Sequence, residues 1–202
     1  MIVIGVTGSI GMGKSTTARL FAEHGAVLHD ADAVVHALYR GPAVPAISAR
    51  FPDAIQDGVV DRGRLSAILA ADPGALRELE AIVHPMVQAV EAECMAEARR
   101  AGRSMFVVDV PLLFETGGEK RVDVTVVVSA PAEIQAARVL ERPGMTPERL
   151  AAILARQMPD AEKRRRAHFV VETGGSKEAS AARVADIVRA LAATAAARSD
   201  QN

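Results

Sequence analysis

A glycine-rich octet near the start of the chain constrains its fold more than any other feature. Residues 8–15 read GSIGMGKS and directly follow residues 2–7 (IVIGVT), a β-branched run typical of a buried strand. The octet fits the pattern G-x-x-x-x-G-K-[S/T], whose glycines let consecutive backbone N–H groups point into one concavity. An amphipathic helix is predicted from Lys14 to His24. Together these residues predict a strand, loop and helix that bind phosphate.

The residue types inside the loop fit the phosphates of a nucleotide. We expect Gly8, Gly11 and Gly13 to adopt positive φ angles, the Lys14 ammonium to reach the β- and γ-phosphates, and the Ser15 hydroxyl to ligate Mg²⁺. The predicted ATP-binding residues of the loop are Gly8, Ser9, Ile10, Gly11, Met12, Gly13, Lys14, Ser15 and Thr16. A dinucleotide-binding G-x-G-x-x-G fingerprint is excluded, because Thr16 stands where its last glycine would be.

Short apolar strands alternate with helices along most of the chain. Further strands are predicted at 26–28, 105–110, 122–128 and 169–171. One helix is predicted to follow residues 29–32 and to run to Arg40, and others are predicted at 131–142, 146–158 and 176–197. Strands that do not alternate in polarity and are separated by helices are typical of a parallel sheet covered on both faces. We therefore predict an α/β fold of the P-loop NTPase type, a parallel five-stranded sheet flanked by helices.

The stretch 41–103 predicts a different organisation, because it carries no convincing strand. Residues 41–63 are rich in Pro, Gly and Asp and are predicted as a loop. Residues 64–102 have apolar residues at helical spacing. Asp72-Pro73 predicts a helix start, and His84-Pro85 should kink or break the run. We predict a mostly helical insertion.

Composition excludes several functions. Half of the residues are hydrophobic, so the chain is not disordered, and only 3% are aromatic, too few for a platform that stacks nucleic-acid bases. The net charge of -1 gives no basic field for nucleic acid or a membrane surface. One cysteine, Cys94, excludes an internal disulfide and a cysteine metal cluster. The first residues predict no signal peptide and no membrane span, so we expect a cytoplasmic protein.

Residue types that the sequence lacks at particular motifs exclude several classes of nucleotide-binding protein. The one asparagine is Asn202, which excludes the N-K-x-D guanine motif and the catalytic asparagine of protein kinases. Asp109-Val110 stands where a motor protein would carry Asp-Glu after the strand. A small-molecule kinase remains. Two alternatives stay open, a nucleoside or nucleotide kinase and a nucleotide-gated binding protein without turnover.

Four acidic residues are candidates for the chemistry. Asp30 and Asp32 follow the second strand, at the sheet edge where ligands of open α/β folds bind. We predict Asp32 as the base that takes the acceptor's proton, and Asp30 as a helix cap or a metal-linked residue. Asp109 holds Mg²⁺ or orients Ser15, or else is a buried hydrogen-bonded residue. Glu115 positions substrate or is an exposed helix acid.

Arginines on the predicted helices at 131–142 and 146–158 suggest a mobile lid. Arg138 and Arg142 share one helix face, and a break at Pro143-Gly144 follows them. Such a lid would bring cations to the transferring phosphoryl group, with Arg142 as the main candidate. We predict a solvated position for Arg149. The charge run 163–166 is predicted to be a solvated helix end, with contact to phosphates as the alternative. His84, beside a proline, is a candidate substrate contact.

Across nearly its whole length the chain resembles the dephospho-coenzyme A kinase family. The resemblance rests on residues 4–16 (IGVTGSIGMGKST), Asp30-Ala31-Asp32, Gly58–Arg62, Leu79–Pro85, Asp109–Glu115, Gln135 with Arg138 and Arg142, and Arg156–Pro159. The run Pro-Leu-Leu-Phe-Glu, combined with Asp-Ala-Asp and His-Pro, is the specific part. The chain departs from the family pattern at His36, His168 and Thr173.

The resemblance implies ATP-dependent phosphorylation of the 3′-hydroxyl of the ribose of dephospho-CoA, giving coenzyme A and ADP. It implies Asp32 as general base, Lys14 and Arg142 as phosphate stabilisers, and Arg138 as a further ATP contact. The implied substrate contacts are Asp32, Arg62, Leu65, His84, Pro111, Leu112, Leu113 and Glu115. The implied Mg²⁺ ligands are Ser15 and Asp109.

The resemblance also implies how the chain is divided. The nucleotide-binding core would comprise 1–40, 104–134 and 159–202. The insertion 41–103 would bind the CoA substrate, and 135–158 would form the lid. We expect a monomer or a weak homo-oligomer with a small-molecule substrate and no nucleic-acid or membrane partner.

Overall fold

The computed structural model describes residues 1–72 and 74–199, without the side chains of 195–199. The proline of the predicted Asp72-Pro73 helix start therefore lies outside the described residues. The chain divides into two compact units, one formed by Met1–His29 with the residues from Ala98 onward, and one by Asp30–Glu97. None of the helices described is long and apolar enough to span a membrane.

A five-stranded sheet, in the order β2-β5-β1-β6-β7, forms the centre of the first unit. The strands of the chain are β1 (Ile2–Thr7), β2 (Val27–Asp30), β3 (Ile55–Gln56), β4 (Val59–Val60), β5 (Met105–Asp109), β6 (Val124–Ser129) and β7 (Phe169–Glu172). Strand β1 pairs in parallel with β5 and β6, and β6 pairs in parallel with β7. The predicted parallel five-stranded sheet is confirmed.

Helices connect and cover the strands. They are α1 (Lys14–Glu23), α2 (Ala31–Leu38), α3 (Val44–Arg50), α4 (Arg62–Ala71), α5 (Ala75–Arg100), α6 (Ala132–Leu140), α7 (Pro147–Leu154), α8 (Asp160–Arg166) and α9 (Lys177–Ser199). Short 3₁₀ turns lie at Pro52–Ala54 and Gly118–Arg121. Helices α6 and α7 end two to four residues earlier than the sequence predicts.

The core of the first unit explains why its strands could be predicted. Ile4 and Val6 of β1 are fully buried, as are Val126 and Val128 of β6, and they pack with Phe21 of α1. Because these strands are buried on both faces, they appear in the sequence as continuous apolar runs. Their carboxyl ends lead into the segments that carry the candidate site.

The second unit contradicts the prediction that residues 41–63 form a loop without strands. Helix α3 lies there, and β3 and β4 form an antiparallel hairpin. The helix forms because Ile47 and Phe51 are buried in the core of this unit, at helical spacing that the surrounding prolines obscured. The hairpin turns at Asp57-Gly58, where both residues have positive φ, at 50° and 75°.

Helix α5 runs through Pro85 without a break, so of the two predicted effects of this proline, a kink or a break, the break is wrong. Leu79 and Val83, in the turns before the proline, are buried in the core of the second unit. Tertiary packing of an apolar helix face outweighs the hydrogen bond that a single proline removes.

Candidate active site

The loop between β1 and α1 has the backbone that the glycine pattern predicts, with one exception. Gly11 and Gly13 have φ of 79° and 88°, in the left-handed region that favours glycine. Gly8 has no positive φ, which corrects the prediction for that residue. It is instead a position of close approach, because a Cβ atom there would lie 2.5 Å from the carbonyl oxygen of Val128 in β6.

The N-terminus of α1 is built to receive an anion. Gly13 is the N-cap residue and, as a glycine, has no side chain that could cap the first turn of the helix. That turn contains no acidic residue, and the side chains of Ser15 and Thr16 are exposed. The first-turn N–H groups and the positive end of the helix dipole therefore face outward without a capping carboxylate.

Lys14 forms an ion pair with Asp109. The Lys14 Nζ donates a hydrogen bond to Asp109 Oδ1. Asp109 is the last residue of β5, in register with Val6 of β1, so adjacent strands bring the two side chains together. Their side chains are only 16% and 11% exposed, so each charge is largely removed from water and is offset by the other.

Two glutamines from the predicted lid hold the loop at Ile10. Gln135 Nε2 in α6 donates to the Ile10 carbonyl oxygen over 2.7 Å. The Ile10 N–H donates to Oε1 of Gln157, which follows α7, over 3.3 Å. Both polar groups of one loop residue are thus occupied by the segment predicted as a lid.

Arg138 lies beside the loop and Arg142 does not share its contacts. Arg138 donates from Nη1 to Thr173 Oγ1 over 3.2 Å and from Nη2 to the Thr173 carbonyl over 2.6 Å. The Thr173 hydroxyl donates to the Met12 carbonyl over 2.7 Å, which ties β7 to the loop. Arg142 is exposed in the turn after α6.

Glu115 is part of a buried ion pair rather than an exposed helix acid. Lys163 Nζ in α8 lies 2.9 Å from Glu115 Oε1, and the Met158 N–H donates to the same oxygen over 2.7 Å. Burial by itself raises the pKa of Glu115, but these hydrogen bonds outweigh it and lower the pKa below its ordinary 4.5.

Lys163 is the residue that sequence reasoning missed. The run 163–166 was predicted to be solvated, and this is wrong for Lys163, which has no exposed surface. The prediction fits Arg165, whose side chain is 74% exposed. The one feature that sets Lys163 apart in the sequence is that it is a lysine followed by three arginines.

The remaining segment residues lie around Glu115. Pro111 and Leu112 are exposed, and Leu113 is buried. The Pro111 carbonyl accepts a hydrogen bond from Thr7 Oγ1 over 3.3 Å, at the end of β1. The segment thus begins in contact with the strand that leads into the loop.

In the second unit, the two aspartates at the junction of β2 and α2 have different roles. Asp30 is the N-cap of α2, and its Oδ1 accepts a hydrogen bond from the Ala33 N–H over 3.0 Å. This is the capping role that was one of its two predicted roles. Asp32 is exposed in the first turn of the same helix, so its carboxylate is not used by the cap.

Other predicted substrate contacts of the second unit differ in accessibility. Arg62 and His84 are exposed on α4 and α5, whereas Leu65 is buried in the core. Arg62 lines a cavity of about 470 Å³ together with Tyr39 and Arg40. Burial raises the pKa of Tyr39, and the nearby Arg62 charge opposes this rise.

A parallel sheet whose central strand leads through this loop into a helix, with a lysine at the loop's end, defines a P-loop nucleotide-binding protein. The family model described as dephospho-CoA kinase matches residues 2–178. The chain belongs to the dephospho-CoA kinase family.

Individual relatives agree with this membership. A dephospho-CoA kinase of Mesorhizobium japonicum is 57% identical over 191 residues, covering 95% of this chain and 97% of the relative. One from Rhodopseudomonas palustris is 56% identical over 192 residues, covering 95% and 96%. A crystal structure from Thermus thermophilus superposes with a TM-score of 0.81 at 38% identity, covering 94% and 96%.

Proposed function

We propose that the chain transfers the γ-phosphoryl group of ATP to the 3′-hydroxyl of the ribose of dephospho-CoA, giving coenzyme A and ADP. The observation that carries the proposal is the phosphate-binding loop with Lys14 held at its base by Asp109, in a member of this family. A small-molecule acceptor, a cytoplasmic location and a monomer or weak homo-oligomer belong to the same proposal.

Phosphate binding uses the loop backbone and Lys14. The N–H groups of residues 8–16 surround the β- and γ-phosphates, and the Lys14 ammonium moves from Asp109 to the phosphate oxygens. Because the ion pair is mostly buried, the ammonium is already held close to the loop before nucleotide binds. Little side-chain entropy then remains to be lost on binding.

Ser15 and Asp109 fit a magnesium ion. Their hydroxyl and carboxylate oxygens are ligands that Mg²⁺ prefers, and they come from the helix start and the neighbouring strand end. No group of three His, Cys, Asp or Glu that could hold a metal occurs in the described parts of the chain. One or two protein oxygens, completed by phosphates and waters, suit Mg²⁺. When bound, the ion neutralises charge on the phosphates.

Asp32 is the general base of the proposal. Its carboxylate accepts the proton of the 3′-hydroxyl as that oxygen bonds to the γ-phosphorus and the bond to the ADP oxygen breaks. Asp30 supports it by capping α2, which fixes the turn that carries Asp32. The neighbouring aspartates thus divide the structural and the chemical role.

The lid arginines stabilise the transferred group. Arg138 is already fixed by Thr173, and Arg142 is exposed and able to reach the phosphates when the lid closes. Acceptor contacts come from the segment 111–115 and, in the second unit, from Arg62, Leu65 and His84. The lid 135–158 and the CoA-binding insertion 41–103 are part of this proposal.

A coupled assay of ADP release tests the function. Purified protein with Mg-ATP should release ADP only when dephospho-CoA is present, and a panel of nucleosides and nucleotides should give far less. The Lys14→Met variant measures any contaminating ATPase. Equal turnover with a nucleoside acceptor would indicate a nucleoside kinase, and ATP binding without any acceptor-dependent turnover would indicate a binding protein.

A further inference from the structure

A buried lysine outside the phosphate-binding loop has no part in the reaction described above. Lys163 has no exposed surface, and its Nζ lies 2.9 Å from Glu115 Oε1 and 3.4 Å from the Pro111 carbonyl oxygen. Burying an ammonium group costs more than burying a methionine of similar length, and a buried ion pair is weak grounds for stability. Its contacts suggest a different contribution.

Those contacts join both ends of the segment 111–115. Lys163 contacts Pro111 at its start and Glu115 at its end. Pro111 also accepts the Thr7 hydroxyl at the end of β1. The segment that is proposed to contact the acceptor is therefore fixed at two points by a single side chain.

Glu115 extends the connection toward the loop. The carboxylate oxygen that pairs with Lys163 also accepts the Met158 N–H over 2.7 Å. The preceding residue, Gln157, accepts the Ile10 N–H of the phosphate-binding loop. Lys163 thus holds the carboxylate that aligns the acceptor segment with the end of the lid.

A second contact between α8 and the region of this segment is more exposed to solvent. Arg166 donates to Glu119 over 2.8 Å, and its guanidinium lies 4.7 Å from the centre of the Phe114 ring. The side chains of Arg166 and Glu119 are partly solvated, and such pairs contribute little. The buried contact through Lys163 is the more specific constraint on this segment.

We propose that Lys163 is a positioning residue, which holds the segment 111–115 in one conformation for the acceptor substrate through Glu115 and the Pro111 carbonyl. This inference rests on the proposed function for its kinetic consequence. Misplacement of a substrate-positioning group by about 1 Å costs about 100-fold in rate. The affinity for ATP should change little, because the loop is also held by Gln135.

The test compares Lys163→Met, which removes the charge at similar length, with Arg165→Met on the same helix. We expect Lys163→Met to lower kcat/KM for dephospho-CoA about 10- to 100-fold with the Kd of ATP nearly unchanged. Lys163→Arg should recover part of the loss, and Arg165→Met should behave as the unchanged chain. The proposal would be overturned if Lys163→Met folds and loses no more kcat/KM than Arg165→Met does.

Hydrogen exchange gives a readout that does not depend on the acceptor. Amides of Met158, Thr116 and Gly118 bond within or to the segment. They should exchange faster in Lys163→Met than in Arg165→Met. Equal exchange rates in the two variants would contradict the positioning role, whether or not the protein uses dephospho-CoA. Failure of the unsubstituted protein to use dephospho-CoA would instead reject the proposed function.

A double variant separates lost position from an unpaired charge. If Lys163→Met does not fold, the reason is the Glu115 carboxylate, which is left without its cation in a largely buried position. Lys163→Met combined with Glu115→Gln removes that charge and keeps an acceptor for the Met158 N–H. The double variant leaves neither charge unpaired, so it should fold and still show lower kcat/KM for dephospho-CoA than Arg165→Met. Equal kcat/KM in the two would overturn the proposal.

Discussion

At the scale of single residues, the site depends on positions where only one side chain fits. Gly8 illustrates this, because its need for glycine comes from a neighbouring strand and not from its own backbone angle. The sequence pattern predicts a glycine loop but does not contain the distance to Val128. Lys163 is the opposite case, since its burial depends on contacts with residues about 50 positions earlier, which local pattern cannot reveal.

Substitution of Gly8 tests the close approach. Gly8→Ala places a Cβ against backbone that cannot rotate away, so we expect the free energy of unfolding to fall by about 1–3 kcal/mol. Gly175→Ala is the matched control, since Gly175 has open space and no positive φ, and should change stability by less than about 0.5 kcal/mol. Urea unfolding measures both, and equal effects would contradict the assignment.

The two aspartates at the junction of β2 and α2 are expected to have different roles, Asp30 as a helix cap and Asp32 as the general base. Asp32→Asn should lower kcat by about 10²- to 10⁴-fold, the usual contribution of general-base catalysis, with ATP affinity retained. Asp30→Asn should leave kcat close to that of the unchanged chain, because asparagine caps a helix as well as aspartate does. Steady-state kinetics and a direct measurement of ATP binding on both variants decide which aspartate is the general base. A larger loss of kcat in Asp30→Asn would reverse the assignment.

At the scale of secondary-structure elements, the sequence predicts those helices and strands whose residues form a clear local pattern. The β1–loop–α1 unit was predicted almost to the residue, because an apolar run, a glycine pattern and a helix start coincide there. Helix α3 and the β3–β4 hairpin were missed, since two-residue strands carry no alternation and Ile47 and Phe51 lie among prolines. Helix α5 was predicted to kink or break at Pro85, and it does not break because packing of its apolar face maintains it.

The ion pair that attaches α8 to the segment 111–115 predicts that the free energy of unfolding depends on pH. The pKa of Glu115 is lowered in the folded chain, so its contribution to stability is present above about pH 4.5 and is lost as pH falls through the folded value. The difference in unfolding free energy between the unchanged chain and Glu115→Gln should therefore shrink between pH 7 and pH 3. Urea unfolding across this range measures it.

The surface variant Glu133→Gln is the control for this titration. Glu133 is exposed in α6, so its substitution should have a small effect at every pH. If the Glu115→Gln difference grew on acidification, the carboxylate would be destabilised in the folded state and the pairing with Lys163 would be contradicted.

At the scale of the whole molecule, two compact units carry the proposed reaction. The first holds the phosphate-binding loop, Asp109 and the segment 111–115, and the second holds Asp32 and the cavity lined by Arg62. The family could be predicted because its motifs are spread over both units. The individual side-chain contacts could not, because residues such as Thr173 and Lys163 acquire their partners only through folding.

Transfer of labelled phosphate tests the central claim most directly. With ATP labelled in the γ-phosphoryl group, and with dephospho-CoA as acceptor, the label should appear on the 3′ position of the product in an amount equal to the ADP formed. Lys14→Met should form neither product. Label found only in inorganic phosphate, or on another acceptor in preference to dephospho-CoA, would contradict the account.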